Sequence, residues 1–124
     1  MAAERSSQEQ PALTRCPMET TLDIIGNKWK PMILFCLIQD KQRFGELQRQ
    51  IPGVNRQMLT QHLRELEAHG IVHREVYQEI PPKVEYSLTP TGQTLIPILQ
   101  AMTDWGTRYL RGEFTFDTKV LEEA

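Results

Sequence analysis

The stretch that most constrains this chain is Asn55–Gly70, NRQMLTQHLRELEAHG, together with the Pro52-Gly53-Val54 segment before it. Advancing by about 100° per residue, a helix here gathers Met58, Leu59, Leu63 and Leu66 on one half and Arg56, Gln57, Thr60, Gln61 and Arg64 on the other. Proline removes a backbone donor and glycine permits positive φ, so the chain must turn just before this helix begins. Gly70 stops it, with His69 in a last turn where positive charge is favoured.

Ordered elements flank this stretch on both sides. PMETTLDIIG, with an acidic first turn and Gly26 at its end, predicts a short helix. Asn27 then caps a second helix carrying Trp29, Ile33, Leu34, Leu37 and Ile38, and Pro31 places the start of that helix within a few residues. DKQRFGELQRQI predicts a turn, a brief extended piece at Gln42 and Arg43, and a third helix with Phe44, Leu47 and Ile51 inward. After the Asn55–Gly70 helix, IVHREVY and KVEYSL alternate as a hairpin. One face is expected to carry Ile71, His73, Glu75 and Tyr77, packed with Val84, Tyr86 and Leu88, and Pro81 and Pro82 stiffen the tip. Thr89 and Pro90 open a final helix with Leu95, Ile98, Leu99, Met102, Trp105 and Tyr109 at helical spacing, which Pro97 should bend.

At 124 residues the chain has room for one domain with a real core. Residues 1–15 are expected to be a flexible tail, 16–111 the folded domain, and 112–124 a second tail with a short helix after Asp117. No apolar run approaches a membrane span and the polar first fifteen residues lack a signal-peptide core, so a cytoplasmic protein is expected. The net charge of −2 is unusual for a nucleic-acid binder, but averages hide local fields. Between Lys41 and Arg74 six Lys or Arg stand against three acids, a local excess of +3.

The order of helices, tight turn, amphipathic helix, hairpin and helix is that of a winged helix-turn-helix: mainly α with a small β-hairpin. In such a domain the helix after the turn enters the major groove and the hairpin lies against the backbone. Arg56, Gln57, Thr60, Gln61 and Arg64 have the hydrogen-bonding groups that read base edges. Lys41, Arg43 and Lys83 are placed for phosphates, which position a protein without specifying sequence. A solvated polar face is the bland alternative, and a winged-helix protein-interaction module without functional DNA contact is the competing functional class. Ser-His-Asp, paired-carboxylate and Gly-rich phosphate-binding patterns are missing, so no enzyme and no cofactor are expected.

CPMETTLDIIGNKWKPMILFCL, RFGELQRQIPGVNRQMLTQHLRELEAHGIVHREVY and IPPKVEYSLTPTGQTLIPIL closely resemble the HxlR-type transcription regulators, bacterial relatives of the MarR-type winged helix proteins. The resemblance runs from Cys16 to about Tyr109. It implies a homodimer joined through its N- and C-terminal helices, Leu22 among the residues concerned, on a double-stranded inverted-repeat operator. The last helix hints at a dimer independently. Leu95, Leu99, Met102, Trp105 and Tyr109 offer more apolar surface than a domain of this size needs, although closing the core is the simpler use for them.

Two cysteines, Cys16 and Cys36, are too few for a disulfide framework and lack zinc-site spacing. Cys16 precedes Pro17 at the entry to the first helix, beside Arg15, a setting in which a reactive thiol is expected. Several HxlR-type regulators resemble this chain in carrying a cysteine here, in some of them a sensor of electrophiles or oxidants, so Cys16 is a candidate redox sensor; an inert thiol is the alternative. Cys36 in the apolar second helix fits a small buried hydrophobe. His62 and His69 are expected on the apolar half of their helix and His73 on a strand, with no completed metal-ligand set.

Overall fold

The computed structural model describes residues 16–114, so 1–15 and 115–124, with the expected helix after Asp117, lie outside the described residues; of the second expected tail, 112–114 are described, and Phe114 stacks on Trp105. Six helices and three strands follow in the order α1 (Pro17–Ile25), α2 (Trp29–Gln39), β1 (Gln42–Arg43), α3 (Phe44–Gln50), α4 (Arg56–Ala68), β2 (Val72–Tyr77), β3 (Lys83–Leu88), α5 (Pro90–Gln93) and α6 (Ile96–Leu110). The Asn27 side chain accepts hydrogen bonds from the backbone N–H groups of Trp29 and Lys30, each at 2.8 Å, and so opens α2. At Gly53, φ is +88°, which supplies the sharp turn between α3 and α4. Asn55 caps α4 by accepting from the Met58 N–H.

One core joins these elements. Ile33, Leu34 and Leu37 of α2 meet Leu47 of α3, Leu59, Leu63 and Leu66 of α4, Val72 and Tyr86 of the sheet, and Leu99 of α6. Burying a side chain of this size contributes about 1.5–3 kcal/mol, so the three α4 leucines alone hold that helix firmly. The Asn55–Gly70 helix and its inward half thus form as the sequence predicts.

The hairpin has a third strand and a different phase. β1 pairs antiparallel with β3, giving the order β1-β3-β2, with Gln42 opposite Tyr86 and Arg43 opposite Glu85. Val72 faces Leu88, Arg74 faces Tyr86 and Val76 faces Val84. Since directly opposed residues share a face, His73, Glu75 and Tyr77 belong with Lys83, Glu85 and Ser87 on the other side. The expected grouping of His73, Glu75 and Tyr77 with Val84, Tyr86 and Leu88 is therefore one residue out of phase. Ile71 precedes the strand, and its burial does not set the strand's inward face. Beyond Val72, β2 leaves the core and its residues are exposed or half-buried.

The expected final helix is two. α5 ends at Gln93 and α6 begins at Ile96, so Pro97 sits in a first turn, where its missing N–H costs nothing, and does not bend a continuous helix. Thr89 joins this region to the end of α4: its hydroxyl donates to the Gly70 carbonyl at 2.6 Å and accepts from the Gly92 N–H at 2.9 Å. A Cβ at Gly92 would stand 2.2 Å from the Ile71 backbone oxygen. Gly92→Ala is expected to cost about 2–3 kcal/mol by overpacking, read as a lower urea midpoint at unchanged slope; unchanged stability would refute the close approach.

Candidate nucleic-acid interface

The outward half of α4 is a built surface. Arg56, Gln57, Thr60, Gln61 and Arg64 line one open groove, the same five residues that the helical spacing groups. Several are held by their neighbours. The Arg56 guanidinium lies 5.0 Å from the centre of the Phe44 ring of α3, a cation–π contact. The Thr60 hydroxyl donates to the Arg56 carbonyl at 2.8 Å, and Gln61 Nε2 donates to Glu65 Oε2 at 2.6 Å.

A second groove separates α4 from the sheet and brings Arg56 and Arg64 together with Arg74 of β2. Sequence reasoning misses Arg74 as a site residue because the phase it expects for this strand is wrong; facing Tyr86, Arg74 lies on the α4 side of the sheet. Lys41, Arg43 and Lys83 gather at the opposite side of β3, around Glu85. Lys41 Nζ is 3.6 Å from Glu85 Oε1 and Lys83 Nζ is 3.7 Å from Glu85 Oε2, while Arg43 is the strand partner of Glu85. Lys83 also stands 4.6 Å over the Tyr77 ring. Burial alone would raise the Glu85 carboxyl, but the Tyr77 hydroxyl, Lys41 and Lys83 together hold it below the usual range. The three expected phosphate ligands are thus clustered, with two of them already sharing a carboxylate.

The residue that sequence reasoning misses most completely is Lys30. Its side chain is 6% exposed and its Nζ lies 2.6 Å from Glu65 Oε1, an ion pair between α2 and α4. The hydrogen bonds from Lys30, first, and from Gln61 hold the Glu65 carboxyl below its ordinary range. His62 is half-buried beside the pair, its Nδ1 4.0 Å from Glu65 Oε1 and without a hydrogen-bond partner. Burial, then the Lys30 charge, push its imidazole down, with Glu65 acting in the opposite direction. His69, expected on the apolar half, is exposed: at the C-cap the chain is already leaving the core, and its Nδ1 lies 3.1 Å from the Glu65 carbonyl. A lysine in an otherwise apolar helix gives no sequence signal of its partner, because that partner is 35 residues away.

Cys16 is exposed at the N-cap of α1 and Cys36 is partly buried; both are free thiols. Burial raises Cys36 above the ordinary thiol value. Cys36 borders an apolar hollow between α2 and α6, with Met32, Phe35 and Met102. Of the residues expected at an interface, Leu22, Met102, Trp105 and Tyr109 are exposed, as is Ile98. Leu99 is instead buried in the core of its own chain, and Leu95 packs against that core. Their apolar surface is used within the subunit because α6 lies against α2. Among the described residues no helix is long and apolar enough to cross a membrane, and no group of three or more His, Cys, Asp or Glu could hold a metal ion.

A three-stranded sheet beside a helix-turn-helix whose second helix presents this face defines a winged helix regulator of the MarR-like class. The HxlR-like helix-turn-helix family profile matches residues 24–114, and the chain belongs to that family of transcriptional regulators. It is similar to the uncharacterized HTH-type transcriptional regulator YdeP of Bacillus subtilis (strain 168), 56% identical over 94 residues that cover 76% of this chain and 73% of the relative. Among solved structures it is similar to the redox regulator HypR in its reduced form, with TM-score 0.74 and 51% identity over 80% of this chain and all of the other. The reduced form of the transcriptional regulator YodB from B. subtilis gives TM-score 0.68 and 36% identity over 77% of this chain and 95% of the other.

Because the Glu65 carboxyl is lowered on folding, it contributes stability that is fully present above its unfolded value and is lost as pH falls through the lower folded value. Glu65→Gln is expected to lower stability at neutral pH by about 1–3 kcal/mol, the partial exposure of Glu65 favouring the lower end. The same variant should flatten the loss of stability below the usual carboxylate range. Chemical denaturation at a series of pH values reads both, and an unchanged acid limb would refute the role of the pair.

Proposed function

We propose that this regulator binds an inverted-repeat duplex as a homodimer, with α4 in the major groove and the β2–β3 wing along the backbone. The observation that carries this reading is the groove in which Arg56, Gln57, Thr60, Gln61 and Arg64 stand together, opposite the buried leucines that fix the helix. A major groove admits one α-helix, and Arg, Gln and Thr offer the donor and acceptor groups that distinguish base edges. Arg74 adds a third guanidinium beside Arg56 and Arg64. Lys41, Arg43 and Lys83 cluster on the wing side, where phosphates pass. The lining of the α4 groove, with two arginines and no carboxylate among its five residues, favours this reading over a protein-interaction module.

Leu22 of α1 and Met102, Trp105 and Tyr109 of α6 supply the apolar surface for a second copy, and Trp105 and Tyr109 stack with ring centres 5.3 Å apart. Two copies would present two α4 helices, as a two-fold related site requires. The domain is taken as residues 16–111, flanked by tails. Cys16 is the proposed redox-responsive thiol: it is exposed and free at a helix N-terminus, and a solved structure similar to this chain is that of a redox regulator. A cytoplasmic location fits such a role.

Binding to duplexes drawn from the protein's own genomic neighbourhood is expected to weaken steeply with salt, with two chains per duplex by sedimentation. Arg56→Ala should relax base preference, whereas Lys83→Ala should weaken all sequences alike and reduce the salt slope by about one for each phosphate that is no longer neutralised; salt-independent binding would sink the proposal. In the same assay a thiol oxidant should change the affinity of the wild type and of Cys36→Ser but not of Cys16→Ser, and a retained response in Cys16→Ser would exclude Cys16 as the sensor.

A further inference from the structure

Gln61 differs from the other groove residues in that its orientation is chemically determined. An unrestrained glutamine amide turns over freely and offers either its nitrogen or its oxygen to a partner. Here Nε2 is bound to Glu65 Oε2 at 2.6 Å, and an ionised carboxylate only accepts hydrogen bonds, so the amide nitrogen must face it. The other carboxylate oxygen, Oε1, is held by Lys30 Nζ at 2.6 Å from inside the protein. The buried ammonium keeps the carboxylate ionised and stops it from turning to follow the amide. Gln61 Oε1 is thereby directed away from Glu65, as an acceptor.

We propose that Glu65, anchored by Lys30, is a positioning residue that fixes Gln61 as a hydrogen-bond acceptor in the DNA groove, so that Gln61 selects an amino-bearing base over a keto base. The inference rests on the DNA-reading role of α4. In the major groove adenine N6 and cytosine N4 are donors, while guanine O6 and thymine O4 are acceptors. Glu65 occupies one of the two Nε2 hydrogens, so the lock sets which end of the amide meets the base: with Oε1 toward it, Gln61 accepts from the first pair and opposes the second. Without the lock the amide turns over, presents its nitrogen to guanine or thymine, and the discrimination is lost.

The test is selection from a randomised duplex library by the full-length protein, followed by affinity measurements on duplexes exchanged at single positions. The wild type should show one position where adenine or cytosine is preferred over guanine or thymine by roughly tenfold or more. Lys30→Met with Glu65→Leu replaces the ion pair by apolar side chains, a change that commonly preserves folding, and leaves net charge unaltered. In this double variant the preference at that position should fall to within about twofold while the preferences elsewhere persist. Gln61→Ala should erase the same preference, and adding it to the double variant should change nothing further there. Should the double variant fail to fold, Glu65→Gln serves in its place: Lys30 only donates and so holds the new amide by its oxygen, its nitrogen then faces Gln61, and the preference at that position should be lost or reversed toward guanine or thymine.

A folded variant that keeps the amino-over-keto preference overturns the inference and leaves DNA reading by α4 intact. A uniform change in affinity for all sequences, with the preference retained, assigns Glu65 a purely structural or electrostatic role and equally overturns it. A wild type that binds no duplex selectively refutes the DNA-reading role, and this inference with it.

Discussion

The outward face of α4 depends on the burial of Leu59, Leu63 and Leu66. These side chains fix the rotation of α4 about its own axis, and a helix rotated by one residue would direct a different set of side chains outward. The short Pro52-Gly53-Val54 turn limits how far α4 can slide relative to α3, while Thr89 fastens its far end to the start of α5. A surface that reads another molecule needs rigid support of this kind. The Lys30–Glu65 pair adds a polar fastening to the apolar one, between α2 beneath and the exposed face above.

The wing is supported differently. β2 leaves the core after Val72, and its outer part is stabilised by pairing with β3, which β1 covers on the other edge. Glu75 stands directly opposite Glu85, a like-charge pair that would disfavour the hairpin by itself. The neighbours resolve it: His73 Nε2 is 2.7 Å from Glu75 Oε1, and Lys41, Lys83 and Tyr77 surround Glu85. The lysines proposed to meet a phosphate backbone therefore also hold the wing together in the free protein. Binding a polyanion there would draw them from Glu85, so any affinity they supplied would be offset by the pairing they give up.

The apolar residues of the last helix divide between two uses. Leu99 closes the core of its own subunit, whereas Met102, Trp105 and Tyr109 remain outside it, and Leu22 of α1 is exposed as well. Helical spacing identifies a wide apolar stripe but does not say which part of it faces α2. The packing of α6 against α2 decides that, and it also creates the hollow beside Cys36.

The sequence by itself determined the order of elements through the hairpin, the two halves of α4, the turn before it and the five side chains presented outward. Each depends on local periodicity or on the backbone chemistry of Pro, Gly and Asn within a few residues. Only the tertiary structure decided the pairing of β1 with β3, the phase of β2, the burial of Leu99, and the capture of Glu65 by Lys30. These depend on contacts between residues far apart in the chain, and a pattern with a period of two or about 3.6 residues carries no information about them. Ile71 shows how this misleads: its apolar side chain is buried before the strand begins, so extending its alternation into β2 puts Arg74 on the wrong face. Lys30 shows it most plainly, because a cation in an apolar helix acquires its meaning only from the carboxylate that folding places 2.6 Å away.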